Sequence, residues 1–174
     1  MLDVSVSYNR YRFLGNEFLT WLWFVIEKDQ GKITRPEQEM VSLEIGNRIV
    51  LENDRKDAVE SITIKGDDAG LEEGILALRK GAVVTELNLF YKVGDQAWHF
   101  TIKGESLNMA SLKVPDTGGI ESRKDLEGAV IEKAYLYNEA IRLVDNLFKE
   151  FIKGRVSDDW NSKIVPLVRQ WIYS

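Results

Sequence analysis

The chain has 174 residues and a formal net charge of −5, and it contains no cysteine. A chain of this length buries roughly two-thirds of the surface that its unfolded form exposes, so it needs no disulfide or metal to hold a core. The absence of cysteine excludes disulfides, thiolate zinc sites and cysteine nucleophiles, and it suits a reducing compartment. The sequence predicts one domain over residues 1–174, cytoplasmic, without a signal peptide or a membrane span.

The N-terminal region predicts a strand or an extended arm, followed by an aromatic-rich helix. Asn16 is a suitable N-cap, and Glu17 suits the positive end of the helix dipole. Phe18–Ile26 is apolar all round, which predicts a helix covered on nearly every side. A buried strand is the alternative, because a short continuous apolar run has no diagnostic period. Trp21 and Trp23 do not share one narrow helix face, so we expect one of them to face outward and contact a second chain.

The next region predicts short strands separated by turns. Gln30–Pro36 is a turn region, Gly46-Asn47 is typical of a two-residue hairpin turn, and Asn53–Asp57 is a further turn. The predicted strands are Met40–Ile45, Arg48–Glu52 and Val59–Lys65.

An acidic segment, Gly66–Asp68, opens a predicted helix that ends near Gly81. Four carboxylates, two in this segment and two in the helix that follows, are ligands that a hard cation prefers. Acidic residues at a helix start also stabilise the helix dipole, and we favour this interpretation. No metal or cofactor is predicted. The carboxylates concerned are Asp67, Asp68, Glu72 and Glu73.

A long hairpin follows, with strands Ala82–Val93 and Gln96–Lys103 joined by a Gly94-Asp95 turn. In the second strand, apolar residues alternate with polar residues, which predicts one core face and one solvated face. The predicted core residues are Val83, Leu87, Leu89, Tyr91, Trp98, Phe100 and Ile102. The solvated face carries His99 and Lys103, and a short strand lies within Ser106–Lys113.

The predicted C-terminal helix, about Leu126–Lys153, carries apolar residues spaced alternately four and three apart, which is a heptad seam. Further apolar residues widen the seam, which favours packing on the protein's own sheet over an oligomer zipper. Gly154 ends the helix, Ser157 caps a second one, and Pro166 kinks or restarts it. The seam consists of Val130, Ala134, Tyr137, Ile141, Val144, Phe148 and Phe151, and the widening residues are Leu136, Ala140, Leu143 and Leu147.

These elements predict an α+β fold: an antiparallel sheet of about five to six strands, covered by a long C-terminal helix and an aromatic-rich N-terminal helix. His99 is the only histidine, and no Ser-His-Asp set can be assembled around it. The glycine-containing loops match no phosphate-binding fingerprint. We therefore predict that the chain is not an enzyme and has no catalytic residues.

The order of parts resembles the C-terminal half of the recombination-associated protein RdgC family. That half has a short acidic helix, a Gly-x-Val-Val-Thr strand, a return strand, a Ser-Leu-x-x-Leu-Lys segment and a long final helix. Phe13–Phe24 is similar to the junction segment that opens it. The corresponding parts here are Leu71–Lys80, Gly81–Val93, Ala97–Lys103, Ser106–Lys113 and about Leu126–Lys153.

RdgC-like proteins form ring-shaped α+β dimers that surround duplex DNA without sequence preference and restrain the strand-exchange recombinase. The resemblance implies a nonspecific DNA-associated module that modulates recombination in the nucleoid. It also implies a larger assembly, either a homo-oligomer or a complex with a separate N-terminal-half protein. The basic residues that the resemblance leaves as DNA contacts are Lys65, Arg79, Lys80, Lys103 and Lys113.

The acidic charge favours a second hypothesis, because nonspecific DNA binding depends on lysine and arginine near phosphates. Where the family is rich in lysine, this chain has Asp67, Asp68 and Glu86. The alternative is an acidic protein-interaction module that does not bind DNA. Lysines clustered on one face would favour DNA binding, whereas scattered lysines and an exposed apolar patch would favour protein interaction.

Overall fold

A computed structural model describes residues 4–34, 40–55, 58–118 and 123–174 of the chain. Within them, six antiparallel strands form one sheet, and the helices contribute to the core on one face of it. The predicted α+β fold is thereby confirmed. The elements in chain order are α1 Val4–Lys28, β1 Lys32–Thr34, β2 Met40–Arg55, β3 Ala58–Ile64, α2 Asp68–Arg79, β4 Val83–Val93, β5 Gln96–Lys103, β6 Met109–Lys113, α3 Arg123–Arg155, a π-helix Trp160–Ile164 and α4 Val165–Tyr173.

Helix α1 begins at Val4, so the predicted opening strand or arm is wrong from that residue on, and Asn16 lies inside the helix rather than at its cap. Gly15, which looked like a start signal, has another role. A Cβ at Gly15 would lie 1.7 Å from the carbonyl oxygen of Gly104. The glycine therefore lets α1 approach the turn after β5. Its aromatic segment is covered as predicted, with Phe18 and Leu22 fully buried.

Strand β2 is the centre of the sheet and is continuous, so the predicted hairpin at Gly46-Asn47 is wrong. Ile45 pairs with Leu89 and Ile49 pairs with Leu87, which places three residues of β2 opposite a single residue of β4. The Gly-Asn pair therefore forms a β-bulge, which bends the strand without reversing it. Both β1 and β3 pair with one edge of β2. From the other edge of β2, the strands β4, β5 and β6 follow in that order.

A second irregularity in the β2–β4 pairing corrects one predicted core residue. Val50 pairs with Glu86 but Leu51 pairs with Val84, so β4 has one extra residue here. The shift turns Val84 into the core, where it is fully buried, and leaves Val83 exposed over 41%. A bulge changes which residues of a strand face inward, and simple alternation does not anticipate it.

The β4–β5 hairpin agrees with the prediction, with Val93 paired to Gln96 and a positive φ of 56° at Gly94. The predicted inward residues of β5, Trp98, Phe100 and Ile102, are buried. Helix α1 lies across β4 and β2, and α3 packs beside α1. The indole N–H of Trp98 donates to the backbone carbonyl of Leu136 at 2.9 Å, which joins the sheet to α3.

The C-terminal elements follow the prediction in outline. Helix α3 continues to Arg155, just beyond Gly154. Ser157 does not cap a helix: its hydroxyl donates to the carbonyl of Gly154 at 2.7 Å. Pro166 lies in the first turn of α4, which follows the π-helix directly. Parts of three predicted turns or loops, at residues 35–36, 56–57 and 119–122, lie outside the described residues.

Candidate interaction surfaces

The first half of α3 presents an exposed apolar surface, which we call the α3 stripe. Its members are spaced four, seven and four residues apart, which places them on one side of a helix. Their side chains are exposed over 47, 59, 41 and 53% in chain order. The α3 stripe consists of Leu126, Val130, Tyr137 and Ile141.

The stripe is exposed for one reason in its first two residues, where α3 has no buried neighbour, and for another in Tyr137 and Ile141, which lie beside the core-facing side of the helix. Every residue from Asp125 to Tyr135 is exposed or half-buried, and Leu136 is the first buried residue of the helix. The core side of α3 is formed by the residues that widen the seam, and all of them are buried. The stripe lies beside this core-facing row. Those core-facing residues are Leu136, Ala140, Leu143 and Leu147.

The second half of the heptad seam is satisfied within the chain. Phe148 packs edge-on against Phe18 with ring centroids 5.3 Å apart. Phe151 is fully buried, and its ring lies 5.6 Å from that of Phe18 and 5.7 Å from that of Trp21. The intramolecular interpretation of the seam therefore holds for its second half, whereas its first half has no intramolecular cover among the described residues.

The two tryptophans predicted at an interface differ in exposure. Trp23 is fully buried, with its ring 5.4 Å from that of Trp171. A Cβ on Gly74 would lie 2.6 Å from the Trp23 ring, so that glycine makes room for the indole. Trp21 is half-buried beside Phe151. Of the pair, Trp21 is the one that retains surface for a second chain.

The sheet face opposite the helices forms a second surface, which we call the open face. Antiparallel partners point to the same side, so the pairing register shows which residues meet there. One row runs from Glu44 on β2 through Phe90 and His99 to Lys113 on β6. A parallel row includes Glu86 and Lys103. Charged residues on this face are Arg48, Lys92, Lys103 and Lys113 against Glu44, Glu52 and Glu86.

Asn88 is a buried polar residue that organises the middle of the open face, and sequence reasoning missed it. Its Oδ1 accepts a hydrogen bond from the backbone N–H of Asn47 at 3.0 Å, which gives this N–H of the β2 bulge a partner. Its amide nitrogen donates to the carbonyl of Phe100 at 3.2 Å and to the Thr101 hydroxyl oxygen at 2.9 Å. Nε2 of His99 lies 2.8 Å from the same Oδ1. Because Oδ1 only accepts hydrogen bonds, this contact requires a proton on Nε2 of His99.

The five basic residues predicted to contact DNA do not form one cluster. Lys103 and Lys113 lie on the open face, whereas Lys65 lies in the β3–α2 link. Arg79 and Lys80 lie at the C-terminal end of α2, in the helical layer, where Arg79 donates to the carbonyl of Ile172.

Glu86 pairs with two basic groups of the open face. Its carboxylate lies 3.2 Å from the Arg48 guanidinium and 3.8 Å from the Lys103 ammonium. These contacts partly neutralise both cations, which leaves less positive potential for a phosphate.

The acidic segment before α2 has a structural role. Asp67 is the N-cap of α2, and its carboxylate accepts the backbone N–H of Gly70 at 2.9 Å. In the part of the chain that the structure describes, no three His, Asp or Glu residues are grouped to hold a metal ion.

A shallow cleft beside the end of α1 has a volume of about 290 Å³, and the described residues that line it include Glu27 and Glu44 but no serine or histidine. The prediction that the chain is not an enzyme stays a prediction.

Comparison with known proteins finds no matching family model, no matching curated protein and no matching solved structure. The resemblance to the RdgC family therefore stays a prediction. Among the described residues, no helix has the length and apolar character that crossing a membrane requires.

Proposed function

We propose that this chain is a non-catalytic protein-interaction module that assembles through the α3 stripe. The observation that carries the proposal is the exposure of Leu126, Val130, Tyr137 and Ile141 along one side of a helix. Exposed apolar surface of this kind marks an interaction site, because it would otherwise stay in contact with water. Tyrosine is also enriched in protein interfaces. The scattered basic residues support protein interaction over DNA binding.

The proposed partner of the stripe is a second copy of the chain. A heptad spacing fits another helix with a similar spacing, and a two-fold contact places the same surface on both partners. From Leu126 to Ile141 the α3 stripe spans about 23 Å at 1.5 Å per residue. The seam then reaches the half-buried Trp21, which adds surface at the domain end.

Sedimentation equilibrium at micromolar concentrations tests this assembly. We expect the wild-type chain to form a dimer and a Val130→Lys, Ile141→Lys double variant to be monomeric. Both side chains are exposed, so the variant should keep the wild-type circular dichroism spectrum. Leu167→Lys, at an apolar residue of α4 exposed over 44%, is the matched control and should leave the dimer intact. A monomeric wild-type chain, or a double variant that still dimerises, would contradict the proposal.

A second candidate function is the nonspecific DNA association that the RdgC resemblance implies. Its support is the position of Lys103 and Lys113 on neighbouring strands of the open face. Although the whole chain is acidic, Arg48 and Lys92 lie on this face beside these two lysines, against the carboxylates of Glu44, Glu52 and Glu86. A local potential of this kind attracts phosphates even when the net charge does not.

Gel mobility of a DNA duplex over a salt series tests the second candidate. Binding should weaken with salt by a log–log slope of about −0.9 for each phosphate neutralised. A Lys103→Gln, Lys113→Gln double variant should reduce the slope by about 1.8. The matched control, Lys80→Gln, should leave the slope unchanged, since this residue lies at the C-terminal end of α2 in the helical layer. A folded chain that does not retard the duplex at low salt would eliminate this candidate.

A further inference from the structure

We infer that the open face binds single-stranded nucleic acid, with Phe90 and His99 as the surface on which a base stacks. Phe90 is exposed over 37% on a face that no described helix covers. Its ring lies 5.0 Å from that of His99 on the neighbouring strand, with 38° between the ring planes. Bases of single strands stack on aromatic side chains carried by open sheets, and this contact tolerates any base.

The His99 ring is fixed in place before any ligand arrives. Its Nε2 donates to Oδ1 of Asn88, whose own side chain is 4% exposed. The Asn88 amide is oriented in turn by Asn47, Phe100 and Thr101. A ring held by such a supporting network loses little conformational entropy on binding. The buried amide thus supports a half-buried His99 beside the exposed Phe90.

Two lysines border the rings and complement the charge of a phosphate backbone. The Lys92 ammonium lies over the Phe90 ring, 5.6 Å from its centre, so a base that stacks on this side of the ring takes the place of the ammonium. Lys113 on β6 is the pairing partner of His99. Phe90, His99 and Lys113 thus cross three adjacent strands, over about 10 Å at the usual strand spacing. No salt bridge of Lys92 or Lys113 occurs among the described residues. A base on the rings therefore has a cation along β4 and another on β6 for its phosphates, while Glu44, the pairing partner of Phe90 on β2, places a carboxylate on the remaining side.

The chemistry of these residues favours a single strand over a duplex or an acidic peptide. In a duplex the faces of the bases are already stacked, so an aromatic pair on a sheet has no access to them. An acidic peptide would use the lysines but would leave the rings without a stacking partner. The inference depends on the open face alone and is independent of assembly through the α3 stripe.

Fluorescence anisotropy with a labelled oligo(dT) of about 12 nucleotides, within the site sizes known for such surfaces, is the test. We expect binding at low salt, and about tenfold weaker binding by Phe90→Leu, since stacking contributes at this level. Lys113→Gln should also bind more weakly, with a salt slope lower by about 0.7. Lys80→Gln, a control in the helical layer, should bind as the wild type does.

An abasic strand of the same length separates stacking from charge attraction, and it should bind about tenfold more weakly than oligo(dT). The inference is overturned if wild type does not bind, if Phe90→Leu binds as wild type does, or if the abasic strand binds equally well. Equal binding of a duplex would also overturn it and would favour the DNA-associated candidate. Sedimentation of the same samples shows separately whether the chain is dimeric. Phe90→Leu should leave the dimer intact, because Phe90 lies on the open face and not on the α3 stripe.

Discussion

The indole N–H of Trp98 donates to the backbone carbonyl of Leu136 at 2.9 Å, and both residues are buried. Leu136 is the first buried residue of α3, so this hydrogen bond lies where the helix leaves the core and its exposed half begins. The sheet thereby anchors α3 within the span of the α3 stripe, between Val130 and Tyr137. The position of the proposed interface depends on a side chain of β5, which is 38 residues away in sequence.

Substitution of Trp98 by Phe should destabilise the chain. Phe keeps an aromatic ring but removes the donor and leaves a space where the larger indole was. The lost hydrogen bond costs about 1 kcal/mol, and imperfect filling of the site adds to it. Urea unfolding should give a free energy of unfolding lower by about 1–3 kcal/mol. Tyr135→Phe, at an exposed tyrosine of the same helix, should change it by less than about 0.5 kcal/mol.

The two phenylalanines that face opposite sides of the sheet give a matched comparison. Phe100→Ala removes a fully buried ring from the core and should cost about 3–5 kcal/mol in urea unfolding. Phe90→Ala removes a ring that is already partly in water and should cost less than about 1.5 kcal/mol. Similar costs at the two positions would show that the sheet is not one-sided in solution.

Local pattern was sufficient to predict some elements of this fold. The alternation of Trp98, Phe100 and Ile102 identified the core face of β5, and Gly94 marked a true hairpin turn. Each of these features is determined by neighbours in sequence. The heptad seam was also readable in advance. The half of the seam that packs within the chain is the half that meets α1. The position of α1 cannot be deduced from the seam residues themselves.

Other features depended on residues distant in sequence, and there the predictions failed. Gly46-Asn47 has the composition of a hairpin turn but forms a bulge, because it accommodates Asn88, which lies 41 residues beyond Asn47. Gly15 was interpreted as part of a helix start, but its lack of a side chain allows α1 to contact the backbone of Gly104 closely. The dispersal of the five basic residues likewise followed from the tertiary fold. Sequence pattern does not encode such long-range partners.

Gly46→Ala should therefore be destabilising. A Cβ at this position would lie 2.0 Å from Oδ1 of Asn88, so the buried amide would have to move and its hydrogen bonds would be strained. We expect a loss of about 1–3 kcal/mol in urea unfolding. Gly128→Ala is the opposite case, since no atom lies within 4 Å of the added Cβ on exposed α3. It should stabilise the chain by about 0.5–1 kcal/mol, because alanine is the better helix former. A Gly46→Ala variant as stable as wild type would argue against the bulge.

Asp67 provides the last prediction, which separates a helix cap from a cation site. As the N-cap, its carboxylate accepts the backbone N–H of Gly70. Asp67→Ala should lower the free energy of unfolding by about 1 kcal/mol, whereas Asp67→Asn should have little effect because asparagine caps equally well. A cation site would behave differently, since replacing a charged ligand with asparagine weakens binding. Thermal unfolding is the measurement. Millimolar calcium should leave the Tm of each protein, wild type or variant, at the value that the same protein has without calcium. A calcium-dependent rise in the wild-type Tm that Asp67→Asn abolishes would instead assign these carboxylates to a cation.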